Sequence, residues 1–302
     1  MSILDTIGNT PLAAIEHINP NPSVKLFAKL EGANPGGSVK DRPALYMIKD
    51  AEKRGLLTPD KIILEATSGN TGIGLAMVAA SKGYRVKLTM PGCVSVERRR
   101  VLEAFGAELI LSPSEEGTDG AIRLAHKILG EEPGKYFMPN QFDNPANYMS
   151  HYETTAPEII EQTGGKITHF VAGMGTTGTL MGVARRLKEY NHAIKIVGVE
   201  PVLGHRVQGL KNMSEAIVPK IFDPSWLDER HIVNDEEAFS TARMLAVKEG
   251  IFCGMSSGAA MCIAIRKSSE LKEGVVVTVL PDRGDRYLST ALFASVCGKC
   301  PP

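Results

Sequence analysis

Short apolar runs and longer amphipathic segments alternate along most of this chain. Val24 to Leu30, Lys61 to Ala66, Arg85 to Met90 and Glu108 to Leu111 are brief and rich in branched residues, which predicts strands. Helical spacing between them predicts helices from about Val39 to Arg54, from the Asn70 region through Ala80, from Ser95 onward, and from Ala121 to Leu129. The second half repeats the rhythm. Strands are expected at Thr168 to Ala172, Ile194 to Val199 and Val275 to Leu280, with helices at Leu180 to Tyr190, at Asp235 to Lys248 and after Gly254 to Gly258. This alternation predicts an α/β fold of parallel strands covered by helices. Between Gly204 and Arg230 the pattern breaks around Pro219 and Pro224, which predicts one long functional loop rather than a further element. No repeat or flexible linker separates the halves, so they are expected to pack together.

Candidate chemistry sits in the turns. In Asn34-Pro35-Gly36-Gly37-Ser38-Val39-Lys40-Asp41-Arg42-Pro43-Ala44, Ser38 and Asp41 have the spacing of a capping box, which puts Lys40 in the first helical turn. The positive end of the helix dipole disfavours an ammonium there and favours the neutral amine that a Schiff-base lysine needs. An ordinary surface lysine after a turn has the same local pattern. Gly173-Met174-Gly175-Thr176-Thr177-Gly178-Thr179 lies between a strand and a helix. Its amides and hydroxyls make a phosphate cradle. The same loop matches the dinucleotide pattern G-x-G-x-x-G, with Glu200 ending the next strand where a ribose-binding acid would sit. The threonine hydroxyls favour a terminal phosphate monoester, since each adds a donor.

Thr67-Ser68-Gly69-Asn70-Thr71-Gly72 has the same setting. Amides and hydroxyls at a helix start suit a carboxylate, and the Asn70 amide could hold a ring hydroxyl, although an N-cap with turn glycines reads identically. Gly254-Met255-Ser256-Ser257-Gly258-Ala259 again opens a helix, where a serine is ordinarily a cap.

Composition narrows the partners. The chain has 302 residues and a formal net charge of zero from 34 basic and 34 acidic residues, which argues against nucleic acid or an anionic membrane and for small ligands. Its start lacks a basic region followed by a long apolar one, and its five cysteines are odd in number and scattered, so a cytoplasmic protein without a disulfide framework is expected. Cys297-Gly298-Lys299-Cys300 forms a C-x-x-C at the extreme end, with no second pair or histidine partner, and is expected to be a solvent tail. The seven histidines show no metal spacing; His151 and His205 are near candidate segments and are expected in the core or on the surface.

A lysine, an amide loop, a phosphate cradle and a serine loop together describe a pyridoxal phosphate site. With Asn140-Gln141-Phe142-Asp143-Asn144-Pro145-Ala146-Asn147, these segments resemble, in order from Gly8 to about Ala294, the cysteine synthase family. The resemblance implies a fold type II (tryptophan synthase β-like) enzyme, usually a homodimer, built of two parallel-sheet α/β domains with pyridoxal 5'-phosphate between them. By that likeness the larger domain takes residues 1–36 and 146–302 and the smaller one 37–145. Lys40 would carry the cofactor and act as base, Asn70 would bond the ring hydroxyl, Gly175, Thr176, Thr177, Gly178 and Thr179 would hold the phosphate, and Ser256 would face the pyridine nitrogen. Thr67, Ser68, Thr71 and Gln141 would bind the substrate α-carboxylate. A neutral serine at the ring nitrogen supplies no charge to keep it protonated, which suits β-elimination better than a long-lived carbanion.

The implied reaction replaces the acetate or phosphate of an O-activated L-serine with sulfide or another sulfur donor, through aminoacrylate, to give L-cysteine. Ser95-Val96-Glu97-Arg98-Arg99 resembles the B-type O-acetylserine sulfhydrylases. Gly209-Leu210-Lys211-Asn212-Met213 with Phe222-Asp223-Pro224 resembles the O-phosphoserine-using branch, with Lys211 where that branch usually has arginine. A cystathionine β-synthase-like activity is an alternative within the family. An NAD-dependent oxidoreductase is the distant one and leaves Lys40 and two of the loops without a role.

Overall fold

Parallel pairing dominates the computed structural model of the protein, which describes residues 1–67, 69–94, 96–214 and 218–294, with the backbone alone at Glu97 and Ala294. In chain order its strands are β1 (Leu12–Ala14), β2 (Val24–Leu30), β3 (Ile62–Ala66), β4 (Arg85–Pro91) and β5 (Glu108–Ser112). They continue with β6 (Tyr136–Phe137), β7 (His169–Gly173), β8 (Lys195–Pro201), β9 (Glu229–Val233) and β10 (Gly274–Leu280). The chain folds into two units, one of Met1–Ile7 and Asn34–Asn147, the other of Gly8–Ala33 and Tyr148 onward.

The first unit holds an all-parallel sheet in the order β5-β4-β3-β6. All five residues of β3 are buried, as expected of a central strand covered on both faces. Ile62, Leu64 and Ala66 pack with Ala121 and Ala125 of the helix Gly117–Glu131. Ile63 points the other way and joins Met47, Ile48 and Leu75 from the helices Asp41–Lys53 and Asn70–Lys82. Glu65 shares that second face by strand alternation. Each such aliphatic side chain, fully buried, contributes about 1.5–3 kcal/mol. Leu4 and Ile7 pack on the same cluster, so Met1–Ile7 joins this unit rather than the larger domain expected for residues 1–36.

The second unit holds the order β1-β2-β10-β7-β8-β9, parallel except for β1 against β2. Val171, Val197 and Val276 of its central strands form one core with Ala238, Leu245 and Ala259 from the helices Asp235–Glu249 and Met255–Glu270. The segment expected to be one loop up to Arg230 ends in β9, an edge strand on β8. Glu229 and His231 make it read as polar, because an edge strand need bury little. β1 and β6 also escaped the pattern, being three and two residues long. No described helix is long and apolar enough to cross a membrane.

Two helical glycines distinguish crowding from freedom. A Cβ on Gly258 would stand 2.0 Å from the Ala238 carbonyl oxygen, whereas one on Gly130 would meet nothing within 4 Å. Gly258→Ala is expected to destabilise by about 1–3 kcal/mol or more, and Gly130→Ala to stabilise by about 0.5–1 kcal/mol. Urea unfolding of the two variants checks this, and equal effects would contradict the packing described.

Candidate active site

Lys40 is the N-cap residue of the helix Asp41–Lys53, one position before its first turn. The expected capping box does not form. Ser38 Oγ accepts from the Lys40 N–H at 3.2 Å, but the Asp41 carboxylate accepts from the Gly36 N–H at 2.6 Å instead of from Ser38. The Gly36-Gly37 turn causes this: Gly37 has φ +78° and donates to the Asn34 carbonyl at 2.7 Å, which lays the Gly36 amide over Asp41. A Cβ on Gly36 would come within 2.5 Å of that carboxylate, so glycine is required there. The lysine keeps its place at the positive end of a helix. Gly74 of the helix Asn70–Lys82 lets that helix approach, since a Cβ there would be 3.0 Å from the Lys40 carbonyl oxygen.

Strand β3 delivers the amide loop. Asn70 is the first residue of its helix, and Thr67 Oγ1 accepts from the Gly69 N–H at 3.3 Å. Thr71 donates through Oγ1 to Gln141 Oε1 at 2.6 Å, with both residues buried, so the structure joins two of the residues expected at a carboxylate. Ser68 lies outside the described residues, as do Ser95, Cys297 and Cys300. Behind Gln141 stands Glu65, which accepts from the backbone N–H groups of Asn140 at 2.8 Å and Gln141 at 3.4 Å. Burial pushes the Glu65 carboxyl up to about 7, against the smaller lowering from those amides and from the Gln141 side chain.

In the second unit, β7 leads through Met174 to Thr177 into the helix Gly178–Tyr190. The first helical bond runs from the Met181 N–H to the Thr177 carbonyl, so the amides of Gly178, Thr179 and Leu180 precede it. Thr177 is left-handed at φ +65°, and its buried Oγ1 has no hydrogen-bond partner. The turn is built closely: a Cβ on Gly175 would stand 2.3 Å from the Gly209 carbonyl oxygen. Lys211 donates its backbone N–H to the Met174 carbonyl at 2.8 Å, which places the Gly209–Met213 segment beside the turn. Asn212 Nδ2 donates to the Pro201 carbonyl at 2.8 Å and the Met213 N–H to Glu200 Oε2 at 3.1 Å, holding that segment on the end of β8. Ser256, buried at the second position of the helix Met255–Glu270, places its Oγ 3.8 Å from a Cβ built on Gly209.

Glu200 is not offered to a ribose. Arg230 grips it through Nε and Nη2, both at 2.6 Å, which takes the acid from the dinucleotide reading and leaves that reading the glycine pattern alone. His151 is in the core, one of the two places expected of it, and the sequence did not signal its neighbours. Fully buried in a π-helical turn, His151–Thr155, it lies 3.2 Å from Thr179 Oγ1 through Nε2 and 2.9 Å from Thr155 Oγ1 through Nδ1. Glu65 was likewise missed, because its partners lie 75 and 76 positions away.

The family model described as "Pyridoxal-phosphate dependent enzyme" matches residues 3–282. The chain is 50% identical to the cysteine synthase of Aquifex aeolicus, over 97% of this chain and 92% of that one. It is 50% identical to cysteine synthase B of Escherichia coli K12, over 97% and 96%. Among solved structures, the cysteine synthase (OASS) of Entamoeba histolytica superposes with a TM-score of 0.92 at 41% identity, covering 97% of this chain and 90% of that one.

The raised Glu65 carboxyl has a consequence for stability. Between its ordinary 4.5 and about 7 the folded protein keeps a proton that the unfolded chain has released, so this group's contribution falls as pH rises through that window. The change is on the order of 3 kcal/mol. Urea unfolding at pH values from 5 to 7.5 (roughly the window that linkage sets) is expected to show a downward slope in the wild type that Glu65→Gln reduces; parallel slopes would contradict it.

Proposed function

The chain belongs to the pyridoxal-phosphate dependent enzyme family, and we infer that within it the protein is a cysteine synthase, close to the B type. It replaces the acetate of O-acetyl-L-serine with sulfide and yields L-cysteine. The observation that carries the cofactor is the buried, unpartnered Thr177 hydroxyl in a turn at a helix N-terminus, which is the donor set a phosphate monoester requires.

When bound, pyridoxal phosphate supplies an aldehyde for a lysine amine and a conjugated ring that withdraws electrons from a substrate Cα. Gly175, Thr176, Thr177, Gly178 and Thr179 would hold its phosphate, Asn70 its ring hydroxyl and Ser256 its ring nitrogen. Lys40 Nζ would hold the cofactor between turnovers. Displaced by the substrate amine, it would take the Cα proton, and return one to Cα after acetate has left Cβ and sulfide has added there. Thr67, Ser68, Thr71 and Gln141 would fix the substrate carboxylate so that the Cα proton faces Lys40.

Donor choice turns on Lys211. Its backbone is pinned to Met174, and the neighbouring Asn212 and Met213 are held by Pro201 and Glu200, so the lysine stands on a fixed segment. A lysine offers phosphate a point charge where arginine would offer a fork, which supports acetyl over phospho as the principal leaving group. A homodimer working in the cytoplasm is the assembly that the family resemblance supports.

The absorbance spectrum of the purified protein tests the class. A visible band of bound cofactor is expected, and Lys40→Ala is expected to remove it and lower kcat by roughly a thousandfold or more. Retention of both would sink the assignment of Lys40. Lys211→Ala is expected to reduce kcat/KM for O-phosphoserine by about tenfold and to change that for O-acetylserine by less than about twofold. Equal losses on both donors would remove Lys211 from selectivity.

A further inference from the structure

We propose that Glu65 is a positioning residue for the substrate carboxylate, acting through the Asn140–Gln141 peptide on Gln141 and, through it, on Thr71. The inference rests on the reading above that Thr71 and Gln141 bind the carboxylate, and it assigns work to a buried acid that the reaction itself does not use.

The geometry begins at Asn140, whose φ of +51° is in the left-handed region that side chains other than glycine rarely adopt. Such a conformation persists where the surroundings over-determine it. Here it turns two successive amides, those of Asn140 and Gln141, onto the two oxygens of one carboxylate, as a backbone nest does with an anion. The carbonyls on either side of this pair are fixed too. Asn147 Nδ2 donates to the Gln141 carbonyl at 2.7 Å and Asn144 Nδ2 to the Pro139 carbonyl at 2.9 Å. With its backbone N–H and carbonyl both held, Gln141 presents Oε1 to the Thr71 hydroxyl at 2.6 Å.

Glu65 sits at the root of this arrangement because β3 runs directly into the Thr67–Gly72 loop. One strand therefore carries both the loop that holds Thr71 and the acid that sets Thr71's partner. Burial raises the carboxyl, the amide hydrogen bonds only partly oppose it, and no charged neighbour contributes. An anion placed without a counter-charge, and matched atom for atom to two amides, costs stability and gains position. Glutamine cannot replace it: it has the same shape but one acceptor, and its NH2 would face an N–H.

The experiment compares wild type, Glu65→Gln and Gln141→Ala as holoenzymes of equal cofactor content. It measures kcat and KM for O-acetylserine, KM for sulfide, and spectroscopic binding of L-serine against L-serine methyl ester. Glu65→Gln is expected to raise KM for O-acetylserine by about tenfold, with kcat and the sulfide KM within about twofold. L-serine should weaken by the same factor, and the ester, which lacks the carboxylate, should not. A Glu65→Gln enzyme with unchanged KM beside a Gln141→Ala enzyme with a raised one overturns the inference and leaves the carboxylate reading standing. Unchanged KM in both variants overturns that reading and the inference with it. A general loss, equal for L-serine and its ester, also overturns it as a mere packing role. Glu65→Asp, which keeps the charge but withdraws it by one methylene, provides the same comparison if the amide variant does not fold.

Discussion

Amides at the starts of helices need acceptors, and that need orders much of this molecule. Parallel strands β3 and β7 each end where a helix begins, so each delivers a set of N–H groups that the helix itself cannot satisfy. Elsewhere in the first unit the protein meets similar needs with its own carboxylates. Asp41 takes the Gly36 amide, and Glu65 takes those of Asn140 and Gln141. At Thr177 a buried hydroxyl has no partner from the protein. Satisfied amides set the positions of candidate residues, and unsatisfied donors mark where an anion belongs.

Close backbone approach is the second recurring device. Gly36 admits a carboxylate, Gly74 admits the Lys40 carbonyl and Gly175 admits the Gly209 carbonyl, each at a distance no Cβ would tolerate without movement of its neighbour. The three glycines lie four residues before Lys40, on the helix packed against it, and in the turn after β7. They allow the backbone of the candidate segments to be held at close range, by a carboxylate at Gly36 and by carbonyl groups at Gly74 and Gly175.

Most of the architecture was legible because strands covered on both faces need continuous apolar runs. β2 occupies the very bounds that its pattern predicts, and β3 and β10 begin within one residue of theirs. The edge strand β9 was not legible, since Glu229 and His231 give it no apolar face to display. Among the candidate residues, local motifs pointed to Lys40, Asn70 and the Gly175–Thr179 turn, because turn glycines and helix starts are short-range features, and the structure places all three at helix starts. They misnamed the cap: which amide Asp41 reaches depends on the fold of the Gly36-Gly37 turn, not on residue spacing. Glu65 was invisible for a related reason, and His151, expected in the core or on the surface and found buried, showed nothing of its approach to Thr179. The partners Asn140 of Glu65 and Thr179 of His151 are distant in sequence, and nothing in the residues around them marks the pairing. Glu200 gave the opposite error, a plausible ribose ligand until Arg230 is seen to occupy it.

The π-helical turn at His151–Thr155 limits this segment in a different respect from composition. A π turn holds one residue more than the α-helix around it, and each residue of an α-helix rotates the next by about 100°. Deleting a single residue here would let the helix close regularly and swing His151 by about that angle, away from Thr179. Exchanges of side chain can be absorbed one at a time, but a change of length cannot. The segment is in effect an indexing pin whose information is a count of residues, and drift among descendants of this chain should alter its letters far more readily than its number.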